Sequence, residues 1–335
     1  MIDVLFLVLP DSLLLDLAGP AEAFRLANQY LERRGRPPAF RLRYVGPQAE
    51  VASSVGLMLS HIEPLPAELR EPCWVVLVGR PGDAPHVVRR QRAWLAARDW
   101  LSRSLGPHLL GQGDAAPARR TRAAPPVRLL TVCVGSLLAA DAGLIGTRCV
   151  TTHHELLDDL TRMAPQADVQ GNRVFVEDGP LLSSAGITAG IDMALHLITQ
   201  TCGAAVASAV AHVMVAFARR GPQDPQRSPL LEYRDHLHPA VHKVQDAVCA
   251  SPAQDWSATT LAEVGCVTPR HLGRLFQEHT GLSPRDYVEH VRAALARQAL
   301  SQGASAAQAA ELAGLGTPRR LRQALARAER GDEAG

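Results

Sequence analysis

The sequence has no uninterrupted apolar run of the roughly 18 residues that a membrane-spanning helix needs, so neither a transmembrane segment nor a membrane partner is expected. A targeting segment is missing as well. The apolar stretch Met1–Leu9 has no basic region ahead of it and meets Pro10 and Asp11 at once, which reads as a buried first strand rather than a signal peptide. The cysteines at 73, 133, 149, 202, 249 and 266 form no Cys-x-x-Cys pair and no metal-type spacing. Neither a metal nor a cofactor is therefore expected, and scattered thiols fit a reducing, cytoplasmic setting. Charge of one sign is also lacking: 35 Lys+Arg against 33 Asp+Glu leave a net +2. Nothing in the bulk announces a nucleic-acid binder, and local pattern has to carry any such argument.

What is present is 47% hydrophobic residues over 335 positions, enough for a sizeable core and, as a soft prior, for two domains. In the N-terminal part short apolar runs alternate with helical patterns. Ile2–Leu9, Trp74–Val78, Leu129–Val134 and Val174–Val176 predict strands; Ala21–Arg34, Val87–Leu105, Leu137–Ala142 and Glu155–Met163 predict helices. That alternation implies an α/β fold with a mostly parallel sheet and helices flanking both faces. Residues 106–127, which contain Pro117-Ala118-Arg119-Arg120-Thr121-Arg122, read as a solvated surface insertion. Gly190–Leu197 and Ala204–Ala218 predict two further helices. The apolar stripe of the second (Ala205, Val206, Val210, Val213, Met214, Phe217) suits a dimer interface and intradomain core equally. The polar stretch from Arg219 to Pro229 then breaks the pattern. The expected division is a domain at 1–218, a linker at 219–236 and an all-α domain at 237–335, with helices over His238–Ala250, Ala258–Val264, Pro269–His279, Pro284–Leu300, Ala306–Leu312 and Pro318–Glu329.

This helical part contains an internal repeat. Thr268-Pro269-Arg270-His271-Leu272 recurs as Thr317-Pro318-Arg319-Arg320-Leu321, 49 residues later, and Phe276 maps onto Leu325. The helices that precede the two copies pair better at an offset of 48, Ala262 with Ala310, so the two turns differ by one residue. Thr can cap a helix N-terminus, and Pro loses no needed hydrogen bond at its first position. The i, i+4 apolar pair packs each helix on its domain. Thr268, Arg270, His271 and Arg274, and in the second copy Thr317, Arg319, Arg320 and Arg322, then lie where a recognition helix meets double-stranded DNA. Arginine can grip guanine with two hydrogen bonds or hold a phosphate.

Trp256 to Tyr287 resembles the AraC/XylS-type DNA-binding domain, through Leu261-Ala262, Thr268 to Phe276, Thr280-Gly281-Leu282-Ser283-Pro284 and Tyr287. The resemblance implies two helix-turn-helix units joined by a long helix, here Pro284–Leu300, that dock in successive major-groove turns. The second unit departs from the pattern. Leucines stand at 321 and 325 where aromatics are usual, and the closing Gly-x-x-Pro-x-x-Tyr segment is absent. From Glu232 to Gly335 there are 12 Lys+Arg and 12 Asp+Glu. The first unit is therefore expected to read bases and the second mainly to hold phosphates, with Arg327 adding to its basic face.

In the N-terminal part, Cys133 lies between an apolar strand and a helix. A thiol on such a turn is expected to be exposed at the sheet edge, with its pKa lowered by the helix N-terminus and an amide near it to hold an oxyanion. His153 could serve as its base, and Asp16 or Glu22 could orient the thiol or a ligand. A cysteine in an apolar strand is more often plain core. Residues 1 to about 200 resemble the DJ-1/PfpI superfamily, a class I glutamine amidotransferase-like fold. The supporting strings are Leu15-Asp16-Leu17-Ala18-Gly19-Pro20-Ala21-Glu22, Val75–Gly79, Cys133-Val134-Gly135, Ala139–Leu144, Thr151-Thr152-His153 and Ser184–Asp192; Arg80 departs from a usual glycine. Combined with the AraC-type tail, the chain resembles the GlxA-like regulators. That resemblance implies a sensor whose small-molecule effector, a nitrogenous metabolite, meets Asp16, Gly19, Glu22, Gly79, Cys133, Val134 and His153. A homodimer is expected, since such regulators read paired half-sites and soluble oligomers are mostly two-fold symmetric, with RNA polymerase as a further expected partner. The alternative is a Cys-dependent amidase, hydratase or isonitrile-hydratase-type enzyme using Cys133, His153 and Asp16.

Overall fold

The computed structural model describes residues 1–81, 91–110, 126–216, 220–222, 226, 232–301 and 303–332. The chain divides into two compact units, Met1–Gln226 and Arg227–Gly335. The basic cluster at 119–122 and the start of the helix expected at 87 lie outside the described residues.

The first unit is built on β1 (Ile2–Leu7), β2 (Phe40–Gly46), β3 (Val51–Ala52), β4 (Met58–Leu59), β5 (Glu63–Pro64), β6 (Cys73–Leu77), β7 (Val127–Val132), β8 (Cys149–Val150), β9 (Asp168–Val169), β10 (Phe175–Asp178) and β11 (Leu181–Ser184). Among the described residues, seven strands form one sheet in the order β10-β11-β7-β6-β1-β2-β5. Only β10 runs antiparallel to its neighbour. The central strands are buried along their whole length, as helices on both faces require. Those helices are α1 (Leu14–Glu32), α2 (Arg92–Leu109), α3 (Gly135–Asp141), α4 (Leu157–Met163), α5 (Thr188–Cys202) and α6 (Ala204–Val213). This is the expected α/β fold, a mostly parallel sheet with helices on both faces.

Two differences from the sequence expectation have physical causes. Helix α1 begins at Leu14 rather than Ala21, because Gly19-Pro20, which reads as a turn, sits inside the helix. Gly19 is needed there for packing: a Cβ at that position would lie 2.8 Å from Ile191 Cγ1 on α5. Strand β2 escaped notice because arginines interrupt its apolar pattern. Arg41 pairs with Asp3, while Arg43 Nε and Nη2 donate to Glu63. On α6, Val206, Ala207, Val210 and Ala211 are buried against the first unit's own core, while Val213 is exposed.

The second unit is helical: α7 (Pro239–Ala250), α8 (Ala258–Val264), α9 (Pro269–Thr280), α10 (Pro284–Ser301), α11 (Ala306–Leu312) and α12 (Pro318–Asp332). Two separate cores form on it. One gathers Val241, Val244, Leu261, Leu272, Phe276, Tyr287 and Val291; the other is small and alanine-rich, with Ala296, Ala309, Ala310, Ala313, Leu315 and Leu321. Leu295 on α10 packs against both. The second core has no counterpart to the Phe276–Tyr287 edge contact at 5.8 Å, which follows from the leucines at 321 and 325. Among the described residues no helix is long and apolar enough to cross a membrane.

Candidate functional site

In a parallel sheet the carboxyl ends of the strands are where loops gather and ligands bind. Here the ends of β1, β6, β7 and β11 bring together Asp16, Gly79, Cys133 and the turn Gly186-Ile187. Asp16, in the first turn of α1, is fully buried. Its Oδ1 accepts the Ile187 amide at 2.7 Å, while its Oδ2 is buried and has no hydrogen-bond partner among the described residues. Burial pushes the Asp16 carboxyl up to about 6, against the pull of the Ile187 and Gly79 amides.

Cys133 adopts φ +54°, a left-handed conformation that a side chain normally avoids, between β7 and α3. Its amide donates to Ser184 O at 3.0 Å and its carbonyl accepts Thr152 Oγ1 at 2.8 Å. The turn is tight enough to demand glycine nearby. A Cβ at Gly79 would lie 2.2 Å from Asp16 Oδ2 and 2.8 Å from Cys133 Cβ, and one at Gly186 (φ +103°) 2.5 Å from Cys133 Cβ. The expectation of an exposed, acidified thiol is overturned. Cys133 is 6% exposed, and burial, with the Asp16 carboxylate next, pushes its thiol up to about 12 although the Val134 amide at the helix start pulls the other way. Desolvation outweighs the helix terminus.

The other expected residues are placed differently. His153 Nδ1 faces Glu155 Oε2 at 3.5 Å, and among the described residues no hydrogen bond joins it to Cys133. Glu22, expected to orient a ligand or the thiol, is half-exposed and held by Arg25 through bonds of 2.7 and 2.5 Å. Gly19 serves the α1–α5 packing already described. Arg80 is buried and donates to Gln91 Oε1 at 2.9 Å and Asp11 Oδ2 at 3.1 Å. Ile187 (φ +49°, 45% exposed) was overlooked: a β-branched residue gives no sequence sign of a left-handed turn.

The helical unit presents its repeat as two helix-turn-helix hairpins, α8–α9 and α11–α12. The turns superimpose at the 48-residue offset. Cys266 (φ +54°) matches Gly314 (φ +67°), and the amides of Cys266 and Gly314 donate to Glu263 O and Glu311 O. Gly316 (φ +71°) is the extra residue that restores the offset to 49 at the caps. Thr268 Oγ1 then accepts the His271 amide and Thr317 Oγ1 the Arg320 amide, both at 3.3 Å. These two hydroxyls are therefore engaged as caps. Arg270 and Arg274 are exposed on α9, and Arg274 Nη2 lies 3.3 Å from His271 Nδ1 on a half-buried ring. Arg319, Arg320 and Arg322 are exposed on α12, whereas Arg327 is tied to Glu289 at 2.8 Å. Inside the unit, Arg292 donates to Pro252 O at 2.8 Å and Gln254 O at 2.7 Å, and a Cβ at Gly314 would lie 2.5 Å from Ala253 Cα. The second hairpin is thereby seated against the loop that precedes the first.

A family model described as a helix-turn-helix domain matches residues 261–330. The HTH-type transcriptional regulator GbdR of Pseudomonas aeruginosa is 29% identical over 297 residues, covering 89% of this chain and 73% of that one. The HTH-type transcriptional regulator GlxA of Rhizobium meliloti is 28% identical over 298 residues, covering 89% and 83%. A solved THiJ/PfpI family protein from Pseudomonas syringae aligns at 17% identity and TM-score 0.49, over 74% of this chain and 86% of that one. With its two helix-turn-helix hairpins, the chain is a transcription regulator of the DNA-binding, helix-turn-helix class. Over 89% of its length the chain is similar to the GbdR and GlxA regulators.

Proposed function

We propose that the α/β unit senses a small nitrogenous metabolite and that its occupancy controls how the helical unit engages DNA. The observation that carries this reading is Asp16 Oδ2, a buried acceptor near Cys133 with no hydrogen-bond partner among the described residues. An unmet buried acceptor is costly, and a ligand that donates from nitrogen would relieve it. Asp16, Gly79, Cys133, Val134 and His153 form the proposed effector site. Arg270 and Arg274, with His271 beside Arg274, read bases; Arg319, Arg320 and Arg322 hold phosphates. A cytoplasmic homodimer reading paired half-sites and working with RNA polymerase completes the reading.

A thermal-shift screen of amino acids and quaternary amines tests the sensor, because a ligand that binds the native state raises its apparent stability. The regulator reading is tested by titrating the purified chain with its own upstream DNA and with random DNA. Equal affinity for both, with and without the amines that score in the screen, would overturn it. The enzyme reading is less well supported, since a thiol held near 12 is a poor nucleophile at neutral pH. Turnover of an amide, nitrile or isonitrile that is lost in Cys133→Ala would reverse that ranking.

A further inference from the structure

Two described residues near the end of the α/β unit, Arg220 and Gln226, are tied to both sides of the proposed effector site. Arg220 is one tie. Its backbone amide donates to Asp192 Oδ1 at 3.1 Å, its Nε to Asp192 Oδ2 at 2.9 Å, and its Nη2 to Thr188 Oγ1 at 2.8 Å. Thr188 adjoins Ile187, whose amide Asp16 holds, and Asp192 lies one turn further along α5. Asp192 is 8% exposed while the Arg220 side chain is 30% exposed, so the pair is partly shielded from water and less screened than a fully exposed one. Gln226 is the second tie. Its Nε2 donates to Thr152 O at 2.8 Å and Thr151 Oγ1 at 3.2 Å, and its amide to Asn172 Oδ1 at 3.2 Å. Thr152 is the residue whose hydroxyl holds the Cys133 carbonyl, and it precedes His153. Arg220 Nη1 also reaches Gln226 O at 3.5 Å, which joins the two ties.

We propose that Arg220 and Gln226 form a latch that couples the state of the Asp16–Cys133 site to the segment leading into the DNA-binding unit. A ligand that donates to Asp16 Oδ2 and turns the carboxylate loosens the Oδ1 bond to the Ile187 amide, and with it the start of α5. Thr188 and Asp192 then shift under Arg220, and its bonds to them and to Gln226 O weaken. The coupling runs through contiguous hydrogen bonds, and by linkage it acts in both directions. This rests on the sensor reading above, but its test needs no effector and no DNA.

The test is hydrogen–deuterium exchange on the full chain, followed in peptides spanning 186–193 and 219–227. Asp16→Ala removes the acceptor of the Ile187 amide. Both peptides are expected to exchange roughly tenfold to hundredfold faster, the range for losing a hydrogen bond to a charged group. Asp16→Asn keeps an acceptor for that amide and should leave both peptides close to wild type. From the other side, Arg220→Ala should speed alkylation of Cys133 by a similar factor. Asn28→Ala, which cuts bonds to residues 39 and 40 across the sheet, should not. The proposal is overturned if Asp16→Ala loosens 186–193 and leaves 219–227 unchanged, or if Arg220→Ala and Asn28→Ala expose Cys133 equally. Loss of DNA preference in the wild-type protein would sink the regulator reading while leaving these exchange results intact.

Discussion

Replacing Asp16 by Asn should stabilise the α/β unit, and only above a definite pH. The folded protein raises this carboxyl from 3.8 to about 6. Between those values the native state keeps a proton that the unfolded chain has released. Stability from this group is therefore complete below about pH 4, falls as pH rises to about 6, and is then constant. The gap is worth about 3 kcal/mol as an order of magnitude. Asparagine is neutral throughout and still offers an oxygen to the Ile187 amide. Its NH2 would occupy the place of an oxygen that has no partner, which offsets part of the gain. Asp16→Asn should thus be about 1–3 kcal/mol more stable than wild type above pH 7 and equal to it below about pH 4. Urea unfolding followed by the fluorescence of Trp74, Trp94 and Trp100 measures the difference at each pH. Other groups cancel in that difference, including Glu177, whose carboxyl is lowered chiefly by its bond to His196. A variant less stable than wild type at about pH 8, or a difference that does not change with pH, would refute the reasoning.

Alkylation with iodoacetamide near pH 8, read by mass spectrometry, should label exposed Cys266 well before buried Cys133, which is held as a thiol. Gly186→Ala should destabilise the α/β unit by more than about 2 kcal/mol, since it combines a strained φ with a 2.5 Å clash; calorimetry would show the loss. Arg270→Ala and Arg274→Ala should each weaken specific DNA binding by about 1–3 kcal/mol and relax sequence preference in fluorescence anisotropy. Arg319→Ala and Arg322→Ala should instead weaken specific and random DNA alike and reduce the salt dependence by about one charge each. Phe276→Ala should cost the first hairpin about 3–5 kcal/mol in thermal unfolding, because its ring is fully buried in the larger helical core.

How legible was all this in the sequence? The helical unit was nearly transparent. Its caps, its Thr-Pro starts and the one-residue difference between the two turns are local features, and Gly316 is the residue that accounts for the difference. Caps and turns depend on a few neighbouring residues, so pattern reading finds them. The α/β unit was legible in its central strands, which are apolar runs, and opaque at β2, whose arginines are satisfied by partners distant in the chain. The surroundings of Cys133, where we propose the effector binds, were half legible. Asp16 and Cys133 were found, but Glu22, a close neighbour of Asp16 in sequence, is turned to solvent with Arg25.

By itself the sequence determined the order of the units, the two hairpins and their inequality, since these follow from short-range pattern and composition. Tertiary structure alone decided the chemistry of Cys133. A helix start would acidify that thiol in isolation, yet the fold buries it beside a buried carboxylate, and desolvation prevails. The same is true of Ile187 and of the Arg220–Asp192 tie, which join residues far apart in the chain and exist only where the sheet brings its carboxyl ends together.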